Sequence, residues 1–237
     1  QVHDSLPSTN QYSRGLAHGS VVVTEWQSAG RGRRGRVWQA ALGGSLLFSL
    51  VWRFEQPPQY LSGLSLAIGS VIAEVIAAAG VPEIQLKYPN DLLRTGGKVG
   101  GILIESQSDG ESTLAVIGIG LNVRLPKVVR GSIDQAVNDL HTLVLSRDQL
   151  FVAILQALAN ALPLFAQQGF APFRSAWLAR HAYHAQAVVV TLPDGQQQHG
   201  IIDDVAHDGT LLLKTKQGAQ VALHSGDISL RQEAQQA

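Results

Sequence analysis

The chain has 237 residues, with 18 Lys+Arg balancing 18 Asp+Glu for a formal net charge of zero and a sequence pI near 7.3. With 45% hydrophobic and 15% charged residues it can bury a substantial core, which argues against widespread disorder, and it lacks the basic excess of most nucleic-acid binders. It contains no cysteine, which excludes disulfides, thiol catalysis and cysteine-ligated metal; with no export signal in Gln1-Val2-His3-Asp4, the expected location is the cytoplasm.

In chain order, residues 2–6 read as a short strand, and Ser8-Thr9-Asn10-Gln11 opens a helix to about Ala17, with Ser8 and Gln11 spaced as a capping box. The same hydroxyls and amide stand on a strand-to-helix corner and can hydrogen-bond a polar ligand head; both readings stand. The β-branched residues 21–24 predict a strand that leads through Glu25, Trp26 and Gln27 to Gly30-Arg31-Gly32-Arg33-Arg34-Gly35-Arg36 and Trp38. Glycines permit close backbone approach, and guanidinium forks suit phosphate or carboxylate geometry. The segment therefore reads as an anion-binding lid, mobile when empty and ordered by ligand, with a solvated basic loop as the plain alternative. Residues 45–52 predict the next strand, which fixes both ends of the lid in one sheet.

Residues 61–80 read as a helix apolar nearly all round, charged only at Glu74. Its uncharged run over 61–73 is shorter than the roughly 18 residues of a membrane span, so it reads as a buried central helix, stopped by Gly80-Val81-Pro82. A brief strand over 84–87 precedes Tyr88-Pro89-Asn90-Asp91, a polar turn. Lys87 and Asp91 are either a surface pair, or Asp91 holds Mg²⁺ while Lys87 neutralises an anionic substrate. Gly96-Gly97-Lys98 predicts a hairpin turn into a strand over 99–106, where a lysine is ordinarily exposed solubility charge. The turn Asp109-Gly110 leads to a strand over 114–123 containing Gly118 and Gly120, and glycines inside a strand commonly mark close approach by another group.

Residues 126–138 are polar and unpatterned, a second candidate lid. Residues 147–168 give an amphipathic helix interrupted at Pro163, and 171–181 another; His181 and His184 read as surface or packing residues. From Ala187, short strands punctuated at Pro193-Asp194-Gly195, Asp208-Gly209 and Gly226-Asp227 predict a separate small β-barrel of about 45 residues.

Taken together, Ser8-Thr9-Asn10, Gln27 with its arginine loop and Trp38, Lys87-Tyr88-Pro89-Asn90-Asp91, the run from Gly97 through Lys98 and Gly101 to Leu103, and Gly118-Ile119-Gly120-Leu121-Asn122 resemble bacterial biotin protein ligases in order and spacing. The resemblance covers essentially the whole chain and is to the catalytic region, without the N-terminal DNA-binding domain of bifunctional members. It implies an α+β fold: a mixed central β-sheet with helices, of the class II aminoacyl-tRNA-synthetase-like kind, over residues 1–184, and the small C-terminal β-barrel over 185–237.

The implied activity is ATP-dependent. Biotin is activated to biotinyl-5′-adenylate with Mg²⁺, then transferred to a lysine of a biotin carboxyl carrier protein, a subunit of acetyl-CoA carboxylase. The implied partners include neither nucleic acid nor a membrane, and a homodimer is one arrangement the resemblance allows. By similarity, Ser8, Thr9, Asn10, Gln27, Gly30, Arg31, Gly32, Arg33, Lys98, Gly101, Gly118 and Gly120 would hold biotin, with Gly118 and Gly120 leaving room for it. Arg31, Arg33, Arg36, Trp38, Asn90, Asn122 and Arg231 would meet the nucleotide. Asp91 would bring the metal, and Lys98, Arg33 and Lys87 would carry the chemistry. Aligning Asn122 and Leu140 places Val137 where bifunctional relatives have a tryptophan over the adenine. A lipoate or octanoate ligase or transferase of the same fold, or a biotin-sensing module without catalysis, are the competing readings.

Overall fold

The computed structural model describes residues 1–192, 194–224 and 229–232, with backbone alone at Ser229, Arg231 and Gln232. Its strands are β1 (Val2–Leu6), β2 (Val21–Gln27), β3 (Ser45–Phe54), β4 (Ile84–Lys87), β5 (Asp91–Arg94), β6 (Gly97–Ser108), β7 (Thr113–Asn122), β8 (Ala187–Thr191), β9 (Gln197–Val205), β10 (Leu211–Lys214), β11 (Gln220–Leu223) and β12 (Ser229–Gln232). The α-helices are α1 (Thr9–Ser13), α2 (Leu64–Ala78), α3 (Lys127–Gly131), α4 (Arg147–Gln168) and α5 (Arg174–Ala179).

Seven strands form one sheet in the order β1-β2-β3-β7-β6-β5-β4. Only β1 and β2 run parallel; the other neighbours are antiparallel, so the sheet is mixed as expected. The central strands β3 and β7 pair over ten residues each, and their buried alternate residues Phe48, Leu50, Ile117 and Ile119 face α2 and α4 in one apolar core.

Helix α2 is shorter than its apolar run. Gly63 sits at φ 78°, and a Cβ there would lie 2.7 Å from Phe170 Cβ, so the chain turns at this glycine before the helix starts. The helical segment Pro58–Ala78 is long and apolar enough to cross a membrane by length and composition, yet Leu66, Ile68, Ile72 and Ile76 are almost wholly covered by the protein itself. Likewise α1 ends at Ser13, earlier than read, because Arg14 is extended and Gly15 takes φ 80°. Helix α4 runs unbroken through Pro163. Pro163 and Ala159, whose carbonyl loses its donor, are both exposed, where solvent can satisfy that carbonyl, so the helix tolerates the proline.

The C-terminal strands form an antiparallel sheet in the order β11-β10-β9-β8-β12. The expected small β domain is thus present as an antiparallel sheet, and among the described residues β11 and β12 are its edges and do not pair with each other. One end of β11 is engaged elsewhere. The Tyr88 hydroxyl, on the loop after β4, lies 3.2 Å from both the Leu223 and the Gly209 carbonyls. Val188, Val190, Leu211 and Leu213 join the same apolar core as the large sheet, so the two sheets share packing instead of standing apart.

Candidate active site

The cavity with most of the expected residues opens at the end of the large sheet where β2, β6 and β7 meet the loops. It encloses about 1040 Å³ including its mouth, and is lined by Ser8, Thr9, Asn10, Gln27, Arg31, Gly32, Arg33, Arg34, Arg36, Trp38, Lys87, Asn90, Asp91, Lys98, Gly101, Gly118 and Gly120, with Gln135 and Leu230 at its margin. Three expected residues fall outside this lining. Gly30 lies beneath Trp38, where a Cβ would meet the Trp38 carbonyl at 2.8 Å. Asn122 is buried with its amide donating to the Lys98 and Asn138 carbonyls, both at 3.3 Å. Arg231 pairs through its backbone with Val189, and its side chain lies outside the described residues.

One end of the cavity is a hydrogen-bonded amide cluster. Ser8 caps α1, accepting from the Gln11 N–H, so the helix presents Thr9 and Asn10 in its first turn. Gln27 Oε1 accepts from the Thr9 N–H at 2.7 Å and lies 3.2 Å from Thr9 Oγ1. Asn10 Oδ1 accepts from Ser49 Oγ at 2.6 Å, and its Nδ2 donates to Glu105 Oε2 at 2.9 Å and to the Leu103 carbonyl at 3.2 Å. Ser49 and Glu105 were missed by the sequence reading. The only signal was a serine inside an apolar strand and a carboxylate on a strand face, each ordinary by itself.

The arginine segment folds back as a small hairpin: Trp38 N–H donates to the Gly30 carbonyl at 2.9 Å and Gly32 N–H to the Arg36 carbonyl at 2.7 Å. Its tip turns through Arg34 at φ 57° and Gly35 at φ 68°, and four of its arginines, Arg31, Arg33, Arg34 and Arg36, line the cavity. Arg34 is among them although the family-based roles passed over it.

The floor explains the strand glycines as places of close approach. A Cβ at Gly118 would lie 2.1 Å from Asn10 Oδ1, and one at Gly120 would lie 2.8 Å from the Trp38 ring. The space they leave is therefore filled first by this protein's own Asn10 and Trp38. Above Trp38, Lys98 Nζ stands 5.4 Å from the ring centroid and 2.6 Å from Asp91 Oδ1. Asp91 begins β5 and does not sit in a free turn, and Lys98 is drawn inward by it, away from the exposed hairpin role. Lys87 sits over the Tyr183 ring at 5.8 Å. Asn90 donates its amide to the Ile102 carbonyl at 2.7 Å, so the oxygen of its side chain is the end it can offer a cation.

The second candidate lid contains α3 and then joins β6. Lys98 N–H donates to the Ala136 carbonyl and Asn138 N–H to the Lys98 carbonyl, both at 2.9 Å, so Val137 runs beside Lys98 as a one-residue bridge and Gln135 reaches the cavity instead. Asp139 anchors the far end. Burial works to raise its pKa, but hydrogen bonds from the Leu125 N–H and from His141 prevail and hold its carboxyl below the usual carboxylate range.

Among the described residues no group of three or more His, Asp or Glu could cage a metal. Among the described residues Asp91 is the one carboxylate lining the cavity, which fits Mg²⁺ that arrives on a nucleotide and takes few protein ligands.

An amide-lined end, a ring of arginines and a lysine–aspartate pair in one cleft of a mixed sheet, with a small antiparallel sheet beside it, define an enzyme fold suited to joining a carboxylate to a phosphate. Residues 2–122 match the biotin/lipoate A/B protein ligase family and residues 186–231 the biotin protein ligase C terminal domain; the chain belongs to this family. It is 36% identical over 233 residues to the bifunctional ligase/repressor BirA of Salmonella typhimurium, covering 95% of this chain and 72% of that protein. It is 32% identical over 223 residues to the biotin–[acetyl-CoA-carboxylase] ligase of Paracoccus denitrificans, covering 87% and 89%. The structure of biotin protein ligase from Aquifex aeolicus in complex with biotin and ATP superposes with a TM-score of 0.82 at 24% identity over 98% of both chains, a likeness of fold.

Proposed function

We propose that the chain is an ATP-dependent biotin protein ligase that modifies a carrier subunit of acetyl-CoA carboxylase. The observation that carries this reading is the convergence, in one cavity, of an amide-lined end with four arginines and Lys98. The first suits a neutral polar head group; the second suits two anions that repel each other. In the first step the biotin carboxylate oxygen attacks the α-phosphorus of ATP, a P–O bond forms, and pyrophosphate leaves with the electrons of the broken bond. In the second step a lysine amine of the carrier attacks the acyl carbon, an amide forms, and AMP leaves while the amine gives up its proton.

The charge problem in the first step is to bring an anion onto a polyanion, so positioning and neutralisation supply most of the acceleration. Arg31, Arg33 and Arg36 close over carboxylate and phosphates, and Lys98 stands where the two meet. Lys87 supports the nucleotide's negative charge from the edge of β4. Magnesium bound with the nucleotide supplies further neutralisation, and Asp91 with Asn90 would hold it. The arginines converge on a cleft and not on an open face, which favours a small polyanion over a nucleic-acid backbone.

The test is exchange of labelled pyrophosphate into ATP. Biotin should be required, and a biotin carrier domain should then become labelled on lysine. If lipoate or octanoate drives exchange and biotin does not, the enzyme belongs to the lipoate side of the family; if exchange occurs and no carrier is labelled, the chain is a sensing module.

A further inference from the structure

Asn10 is 4% exposed, and both protons of its side-chain amide are engaged, by the Leu103 carbonyl and by Glu105. Its oxygen already accepts from Ser49, so the remaining capacity of Asn10 toward the cavity is a single acceptor site. Gln27 has the opposite polarity. Its oxygen accepts from Thr9, which leaves its amide N–H₂, beside Gly30, as the group Gln27 can offer at the cavity wall. The amide end of the cavity therefore offers an acceptor at Asn10 and a donor at Gln27, the complement of a head group that carries N–H beside C=O.

Two acceptors keep Asn10 from flipping, the Leu103 carbonyl at 3.2 Å and, closer, Glu105 at 2.9 Å. An ionised carboxylate has no proton to give, so only the donor end of Asn10 can face it, whereas a neutral amide in its place could serve either orientation. Glu105 does not line the cavity. Its second oxygen accepts from Arg14 at 2.7 Å, and Arg14 is the C-cap of α1, so the one carboxylate holds both ends of the helix that carries Thr9 and Asn10.

We propose that Glu105, clamped by Arg14, is a positioning residue that, together with the Leu103 carbonyl, fixes the orientation of the Asn10 amide and thereby selects ligands that donate an N–H to it. The identity of the ligand as biotin rests on the function proposed above; the orientation lock itself does not.

Two measurements separate these. In the ligand-free protein, the two Asn10 side-chain amide protons, assigned with Asn10→Asp, should exchange with solvent at least tenfold more slowly than those of exposed asparagines, and Glu105→Gln should shift and accelerate them. Exchange as fast as at exposed positions would overturn the lock whatever the ligand. In the exchange assay, Glu105→Gln should raise the KM for biotin about tenfold, the loss of roughly one well-formed hydrogen bond, with kcat at saturating biotin and the KM for MgATP within twofold. The preference for biotin over an analogue methylated on the urea nitrogen should shrink by a similar factor, and Glu105→Asp should recover part of it. Equal losses in kcat and both KM values, or an unchanged preference, would reduce Glu105 to a structural role. A wild-type enzyme inactive with biotin would overturn the functional reading while leaving the amide-exchange result to decide the inference.

Discussion

Lys98 Nζ lies 2.6 Å from Asp91 Oδ1, with both side chains about four-fifths covered. The lysine thus enters the cavity already paired, and an incoming carboxylate and phosphate must share it with, or take it from, Asp91. Removing the lysine by Lys98→Ala should lower adenylation by about 100-fold or more, since a charge placed for the transition state is lost. Asp91→Asn should leave biotin affinity within about threefold but raise the KM for MgATP about tenfold, because the aspartate's contribution falls on the nucleotide side. Pyrophosphate exchange at varied biotin and ATP separates the two; a Lys98→Ala enzyme of near-normal rate would return this lysine to surface charge.

Gly120 is held from both sides, by Leu47 of β3 and Gly101 of β6, so its backbone has no room to yield. Gly120→Ala brings a methyl group within 2.8 Å of the Trp38 ring and should push the indole out from under Lys98. The expected result is a loss of about 10- to 100-fold in adenylation, as misplacement near reacting groups commonly causes, with a red-shifted Trp38 emission measured against Trp38→Phe. Unchanged emission and rate would mean the ring finds another seat.

The large sheet was legible because its strands are bounded by turn residues and its central helix by glycines. The glycines at 118 and 120 also announced close approach, but a sequence names the vacancy and not its occupant, which here is Asn10 and Trp38. Glu105 and Ser49 were not legible at all: their importance arises from pairing across 95 and 39 positions, and nothing local distinguishes them. Closure of the C-terminal sheet was not legible. Regular turn spacing predicts hairpins, and it carries no information on whether the last edge strands meet.

The second lid changes one expectation. Val137 is stitched beside Lys98 and Gln135 reaches the cavity, so an aromatic residue will stack on a bound adenine from 135 and not from 137. Gln135→Trp should slow release of the adenylate some 5- to 100-fold, the effect of roughly 1 to 3 kcal/mol of base stacking, while Val137→Trp should leave it within about twofold. Stopped-flow release of the adenylate decides between them, and slowing by Val137→Trp alone would show that the loop is rearranged by ligand.

His181 supplies a pH test remote from the cavity. It is 6% exposed, stacks on Trp177 with centroids 4.4 Å apart, and neither ring nitrogen has a hydrogen-bond partner. Burial, with a smaller contribution from the charge of His184, pushes its pKa from 6.5 down to about 3. The unfolded chain therefore takes up a proton below pH 6.5 that the folded protein refuses until about pH 3. Stability is present above that window and is lost as pH falls through it, by up to about 1.4 kcal/mol per pH unit. The carboxyls held below their usual range, Asp139 and Asp208 among them, begin from 3.8, so the interval between that value and 6.5 isolates the histidine from them. Replacement by an uncharged ring, His181→Phe, should keep the stacking on Trp177 and flatten the fall in urea midpoint between pH 6.5 and 4.5, with exchange activity at pH 7.5 preserved. If the variant loses stability with acid as steeply as the wild type, the acid sensitivity comes from another group and His181 is protonated in its buried seat at little cost.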